Sequence, residues 1–137
     1  MPDIRNLYLS LPDLTKRLCK IGRRLYIMRS SYSFLAREHR ILERMHEIIQ
    51  KGMDGLIQRL DNDLKDDHSR VLVPIEYIRG LCNVGDMKPN DLCVLFVKIF
   101  ELIRSRFKSN LSRNSLSFMG DVISSLNKQI CLYKKLK

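Results

Sequence analysis

The sequence predicts an all-α protein, a compact bundle of four to five helices around a buried apolar central helix at about residues 89–108. Three observations carry this. Leu11, Leu14, Leu18, Ile21, Leu25 and Met28 recur in steps of three and four, as do Leu116, Met119, Ile123, Leu126, Ile130 and Tyr133. That spacing puts each set on one face of a helix. Between them, Phe34 to Leu60 carries a wider stripe of the same period. Ten of the twelve residues from Leu92 to Ile103 are apolar, and a helix that is apolar nearly all round is surrounded by others. At 137 residues and 45% hydrophobic content, the chain is read as a single helical domain, 1–137, with enough apolar side chains to build one core.

The first helix starts at Ser10-Leu11-Pro12-Asp13. Ser10 is its N-cap, Asp13 stands three residues on as in a capping box, and Pro12 sits in the first turn, where a missing N–H costs nothing. The helix runs to about Arg29. Ser30, Ser31 and Ser33 then weaken it by offering hydroxyls to the backbone. Tyr32 and Leu35 keep the beat, so one bent helix through this stretch is an alternative to two. The second helix covers about Phe34 to Leu64, with a core face of Leu35, Ile41, Leu42, Met45, Ile48, Ile49, Met53, Leu56, Ile57 and Leu60. Gly52 and Gly55 lie inside it, each at a cost of about 1 kcal/mol against alanine. Close approach of another backbone is the preferred explanation, a break near residue 52 the other.

Residues 61–70, DNDLKDDHSR, read as an acidic polar connector. Its resemblance to a calcium loop fails on chemistry: Lys65 stands at a ligand position, Asp66 replaces the turn glycine, and no glutamate closes the loop. Val71-Leu72-Val73 before Pro74 reads as extended, because the residue before proline avoids the helical region. A short third helix runs from Pro74 to about Cys82 and ends at Asn83-Val84-Gly85-Asp86, with Gly85 expected in a left-handed turn. Pro89 starts the central helix, whose only polar line is Lys98, Glu101, Ser105 and Lys108. A basic, serine-rich loop at 110–114 leads to a last helix from about Ser115 to Leu136, with lysines near its negative dipole end.

The net charge of +10 is unevenly distributed. Residues 1–60 hold 12 Lys/Arg against 6 Asp/Glu, residues 61–91 hold 4 against 7, and residues 92–137 hold 9 against 2. Two basic helical blocks flank an acidic centre, which favours polyanionic partners or acidic protein surfaces. On the first helix Lys16, Arg17, Lys20, Arg23 and Arg24 are all expected to point away from the apolar seam. Such a strip suits an acidic protein groove or the phosphates of a nucleic acid. On the second helix Arg37, Arg40 and Arg44 are interleaved with Glu43 and Glu47, and Glu47 is expected to pair with Lys51 at i,i+4.

Catalytic and cofactor motifs are weak. Glu43 and His46 form one Glu-x-x-His step, but di-metal bundles need two such steps and two further glutamates. His39 and His46 stand about 10.5 Å apart along a helix, too far for one metal with bonds near 2 Å. Cys19, Cys82, Cys93 and Cys131 form no CxxC pair. With no secretory start at Met1-Pro2-Asp3, they are expected to be reduced thiols, Cys93 as packing and Cys82 more accessible. The longest apolar run spans about 18 Å as a helix, short of a bilayer core of about 30 Å. No nucleotide-binding or nucleophile-elbow motif is present.

The expectation is therefore a non-enzymatic protein–protein interaction module, an adaptor or subunit of a larger intracellular assembly in cytoplasm or nucleus, without cofactor, metal or membrane insertion. The strict spacing of the two seams is narrower than a globular core helix needs. One of them, Leu11, Leu14, Leu18, Ile21 and Leu25 or Ile123, Leu126 and Ile130, is thus expected to meet a protein partner, a second copy included. The alternative is a basic helical protein that binds DNA or RNA through backbone phosphates.

Overall fold

A computed structural model describes residues 5–31, 36–64 and 70–136; the side chain of Ser31 is outside that description. The elements in chain order are β1 (Asn6–Ser10), α1 (Leu11–Ser31), α2 (Ala36–Leu64), β2 (Arg70–Pro74), α3 (Ile75–Cys82), a 3₁₀ turn at Val84–Asp86, α4 (Pro89–Arg106) and α5 (Arg113–Lys134). It is an all-α bundle with a minor two-stranded sheet. α2 lies against α1 and α5, and α4 against α5, α1 and β2.

Each helix start has a local cause. Ser10 caps α1: its Oγ accepts the Asp13 N–H at 3.2 Å. Pro89 opens α4, where its missing N–H is harmless. α5 starts two residues earlier than the sequence reading placed it, because Ser112 Oγ accepts the Ser115 N–H at 3.1 Å and caps it. At the far end of α1 the Ser30 hydroxyl donates to the Tyr26 carbonyl at 2.9 Å, the backbone competition that its position suggests. Whether α1 and α2 are one bent helix depends on residues 32–35, which lie outside the described residues, as does the expected core role of Leu35. Of the acidic connector, Asp61–Leu64 form the last turn of α2 and Arg70 opens β2, while 65–69 lie outside the described residues.

The core is filled from every helix. α4 alone buries Pro89, Leu92, Cys93, Leu95, Phe96, Val97, Ile99, Phe100 and Ile103, with the Phe96 and Phe100 rings stacked 5.1 Å apart. Its polar line of Lys98, Glu101 and Ser105 reaches solvent. Both seams close this core, which corrects the expectation that one of them would be left for a partner. Leu14, Leu18, Ile21 and Leu25 are fully buried, Leu11 and Met28 nearly so; on α5, Leu126 and Ile130 are buried and Ile123 half-buried. The narrow stripes suffice because each helix is flanked by neighbours and the half-buried side chains beside the seam complete the contact.

Four further expectations are corrected. Ile57 lies on the outer flank of the α2 stripe and is exposed. α2 passes straight through Gly52 and Gly55, but what approaches is side chain from α5, not backbone: a Cβ on Gly52 would lie 3.0 Å from a Val122 methyl, and one on Gly55 would overlap the Phe118 ring. Arg59 closes over that ring at 3.9 Å from its centroid while donating to the Gly55 carbonyl. Gly85 does not take a left-handed conformation; the chain turns there as a 3₁₀ turn, so no positive φ is required. Glu47 pairs with Arg44 at 3.0 Å instead of Lys51, one residue closer along the helix.

The sheet is the element that the sequence reading missed in half. Val71–Val73 is extended as expected, but its partner is Asn6–Ser10, paired antiparallel with Leu7 opposite Val73 and Tyr8 opposite Leu72. Val71 and Val73 face the core, Leu72 faces out. The alternation in Asn6-Leu7-Tyr8-Leu9-Ser10 was the available signal.

Candidate functional site

The outer face of α1 gathers the basic residues singled out in the sequence, though not all five in the same way. Lys16, Lys20 and Arg23 are exposed on one line of the helix, and Ile27 continues that line in the same steps of three and four. None of the three cations has an ion-pair partner among the described residues. Arg17 and Arg24 depart from the expectation that all five point away. Arg17 is half-buried and donates from Nε to the Asp13 carboxylate at 3.1 Å. Arg24 is half-buried too, and its Nε has no hydrogen-bond partner among the described residues. Their places beside the seam tuck their stems against the bundle.

The far end of this face is apolar, a feature that the sequence reading missed. Tyr26 is 51% exposed and Ile27 48%. The Tyr26 ring has two neighbours: the Arg29 guanidinium lies 5.3 Å from its centroid, and the His46 ring of α2 lies 5.4 Å away and tilted by 50°. Burial first, and the Arg29 charge second, hold the His46 imidazole below its usual range, against an opposing pull from Glu47. The result is one helix face about 16 Å long from Lys16 to Ile27 by helical rise, cationic at its start and aromatic and aliphatic at its end. Lys134 and Lys135 at the end of α5 are exposed, and Lys135 lines a hollow with Ala36, Arg37 and Glu38 at the start of α2.

The groups with chemical potential are placed as follows. Glu43 and His46 do not act as a pair: His39 Nε2 lies 2.7 Å from the Glu43 carboxylate, while His46 turns to Tyr26. Among the described residues no three His, Cys, Asp or Glu gather as metal ligands. All four cysteines are free thiols. Cys93 is buried in α4 and burial pushes its thiol pKa up, whereas Cys82 and Cys131 are exposed.

Shallow hollows lie between the helices. One of ≈ 380 Å³ between α4 and α5 is lined by Glu101, Arg104, Ser105, Lys108, Gly120 and Ile123, where Arg104 Nε already donates to the Leu116 carbonyl. Another, ≈ 290 Å³, lies where Asp63 meets Ser112 and Ser115 at the start of α5. No described helix is long and apolar enough to cross a membrane. No family model, curated protein or solved structure matches this chain.

Proposed function

We propose that this chain is a non-enzymatic protein–protein interaction module, an adaptor or subunit of a larger assembly, and that it presents the outer face of α1 to an acidic protein surface. The observation that carries the reading is the line of Lys16, Lys20 and Arg23, exposed and without carboxylate partners among the described residues, running into exposed Tyr26 and Ile27. Cations at one end attract and orient a partner. Apolar side chains at the other end give it a place to be desolvated, which is where binding energy concentrates. The reading places the protein in cytoplasm or nucleus, where free thiols stay reduced.

Nucleic-acid binding is the second reading, and Tyr26 beside this basic line is the observation that favours it. An aromatic among cations is what a single-strand binder stacks a base on. The ring, however, is already flanked by Arg29 and His46, and one aromatic does not make a stacking track. Calorimetric titration separates the two. The probes are a synthetic acidic amphipathic peptide and single- and double-stranded oligonucleotides, each across a salt series. The expected result is peptide binding that Lys20→Glu with Arg23→Glu abolishes, and nucleic-acid binding that vanishes by physiological salt. Tight, salt-resistant oligonucleotide binding by the wild type overturns the protein reading.

A further inference from the structure

The two edges of the β1–β2 ribbon are not equivalent. The Ile75 N–H donates to the Arg5 carbonyl at 2.8 Å. In the observed register, that makes Arg5–Ile75 a hydrogen-bonded pair, and alternation makes Leu7–Val73 and Leu9–Val71 the next ones. The main-chain groups of Asn6 and Tyr8 on one strand, and of Arg70, Leu72 and Pro74 on the other, therefore point away from the ribbon.

The outer edge of β2 is managed. Pro74 has no N–H to offer, Arg106 Nε donates to the Arg70 carbonyl at 3.3 Å, and the strand lies against α4 and α3. Among the described residues nothing pairs with the outer edge of β1. Asn6 and Tyr8 have no main-chain partner there among the described residues, and Asn6–Ser10 contains no charge and no proline. Natural edge strands are normally blunted by such residues, because an unguarded edge is a template for another strand. Apolar surface accompanies the open edge: Leu7, Tyr8 and Leu72 are all exposed. Tyr8 and Leu72 are cross-strand partners on the outward face. The ladder puts Arg70 on that same face, opposite the small Ser10, with Arg106 bonded to its carbonyl.

We propose that the open edge of β1 is a docking site for an extended segment of a partner protein, which adds a third strand to the ribbon. Its main chain bonds to Asn6 and Tyr8. Alternate apolar side chains cover Tyr8 and Leu72, and a carboxylate at one end faces the Arg70 side chain. This is the strand-addition mode of peptide recognition, in which main-chain bonds give affinity and alternate side chains give specificity. Charge decides against a second copy as occupant: it would bring its own cationic ribbon end and a net charge of +10 to the same place. The surface is separate from the α1 face, and the two stand or fall independently.

The test uses a soluble peptide of alternating valine and threonine with glutamates at one end, a lysine counterpart, and a version N-methylated on its pairing amides. Amide exchange and chemical shifts of the full chain are the readouts. The acidic peptide is expected to protect the Tyr8 amide, the lysine peptide to bind about tenfold or more weakly, and the N-methylated peptide not to bind. Tyr8→Pro removes an outward donor without touching any β1–β2 hydrogen bond, so it should abolish binding while the fold persists. Arg70→Glu should reverse the charge preference. The N-methylated arm keeps the test decisive even if Tyr8→Pro fails to fold. Absence of Tyr8 protection, equal binding of acidic and lysine peptides, or binding of the N-methylated peptide overturns the proposal. So does a concentration-dependent dimer that protects Tyr8 without peptide, which would assign the edge to a second copy.

Discussion

Asp63, in the last turn of α2, caps the start of α5 through Ser115: its Oδ2 accepts the Ser115 hydroxyl at 2.6 Å from 52 residues away. The same oxygen accepts the Ser112 N–H at 3.0 Å, and the Ser112 hydroxyl donates to Ser115 Oγ at 3.0 Å. Among the described residues Ser115 is the polar side chain that is buried, and this carboxylate is what satisfies it.

The first prediction follows from that contact. The Ser115 hydroxyl first, and the Ser112 N–H second, hold the Asp63 carboxyl below its ordinary value of 3.8. A carboxylate whose pKa is lower folded than unfolded adds stability above the unfolded value, and loses it as pH falls through the folded one. Asp63→Ala should therefore cost ~1–2 kcal/mol at neutral pH. The difference from wild type should close as pH falls below about 4. Urea unfolding of both proteins between pH 7 and pH 2 checks this. A gap that persists at the acid end would show that the carboxylate charge is not what holds α5.

Gly55 and Phe118 should be thermodynamically coupled. Alanine at 55 gains helix propensity of about 1 kcal/mol, but its Cβ overlaps the edge of the Phe118 ring, over which the Arg59 guanidinium lies. Gly55→Ala should destabilise the wild type by ~1–2 kcal/mol and stabilise a Phe118→Ala background. A double-mutant cycle from denaturant midpoints measures the reversal; additive effects would mean that the ring simply moves aside.

Burial of the seams sets a third expectation. Leu18 is fully buried, so Leu18→Glu places an unpaired charge in the core and should unfold the chain outright. Ile123 is half-buried beside Arg104 and Lys108, so Ile123→Glu should cost about 1 kcal/mol and keep the helices. Far-UV circular dichroism with thermal melts distinguishes them. A folded Leu18→Glu variant that only loses assembly would return the first seam to an interface.

Thiol chemistry gives the fourth. Cys82 and Cys131 are exposed, while Cys93 is buried with its thiol pKa pushed up. Reactivity follows thiolate content and access. Under native conditions an alkylating reagent should modify Cys82 and Cys131 first and reach Cys93 only on unfolding, as time-resolved mass spectrometry would show. Early labelling of Cys93 would mean that α4 opens locally.

Local pattern was enough for the helices, the Ser10 cap, the proline start of α4 and the extended Val71–Val73. Each depends on residues within a turn or two, where spacing and side-chain type decide the backbone. It also located the candidate face, since a step of three or four puts Lys16, Lys20 and Arg23 on one line. Tertiary structure alone decided what covers each face. Both narrow seams closed onto neighbouring helices, Arg17 and Arg24 were drawn partly inward, and Tyr26 and Ile27 stayed out beside His46 of α2. It alone paired β1 with a strand more than sixty residues on, leaving one edge of the ribbon unpaired among the described residues. Periodicity fixes which residues share a side, but which sides meet is a matter of packing and long-range pairing, and those are properties of the assembled chain.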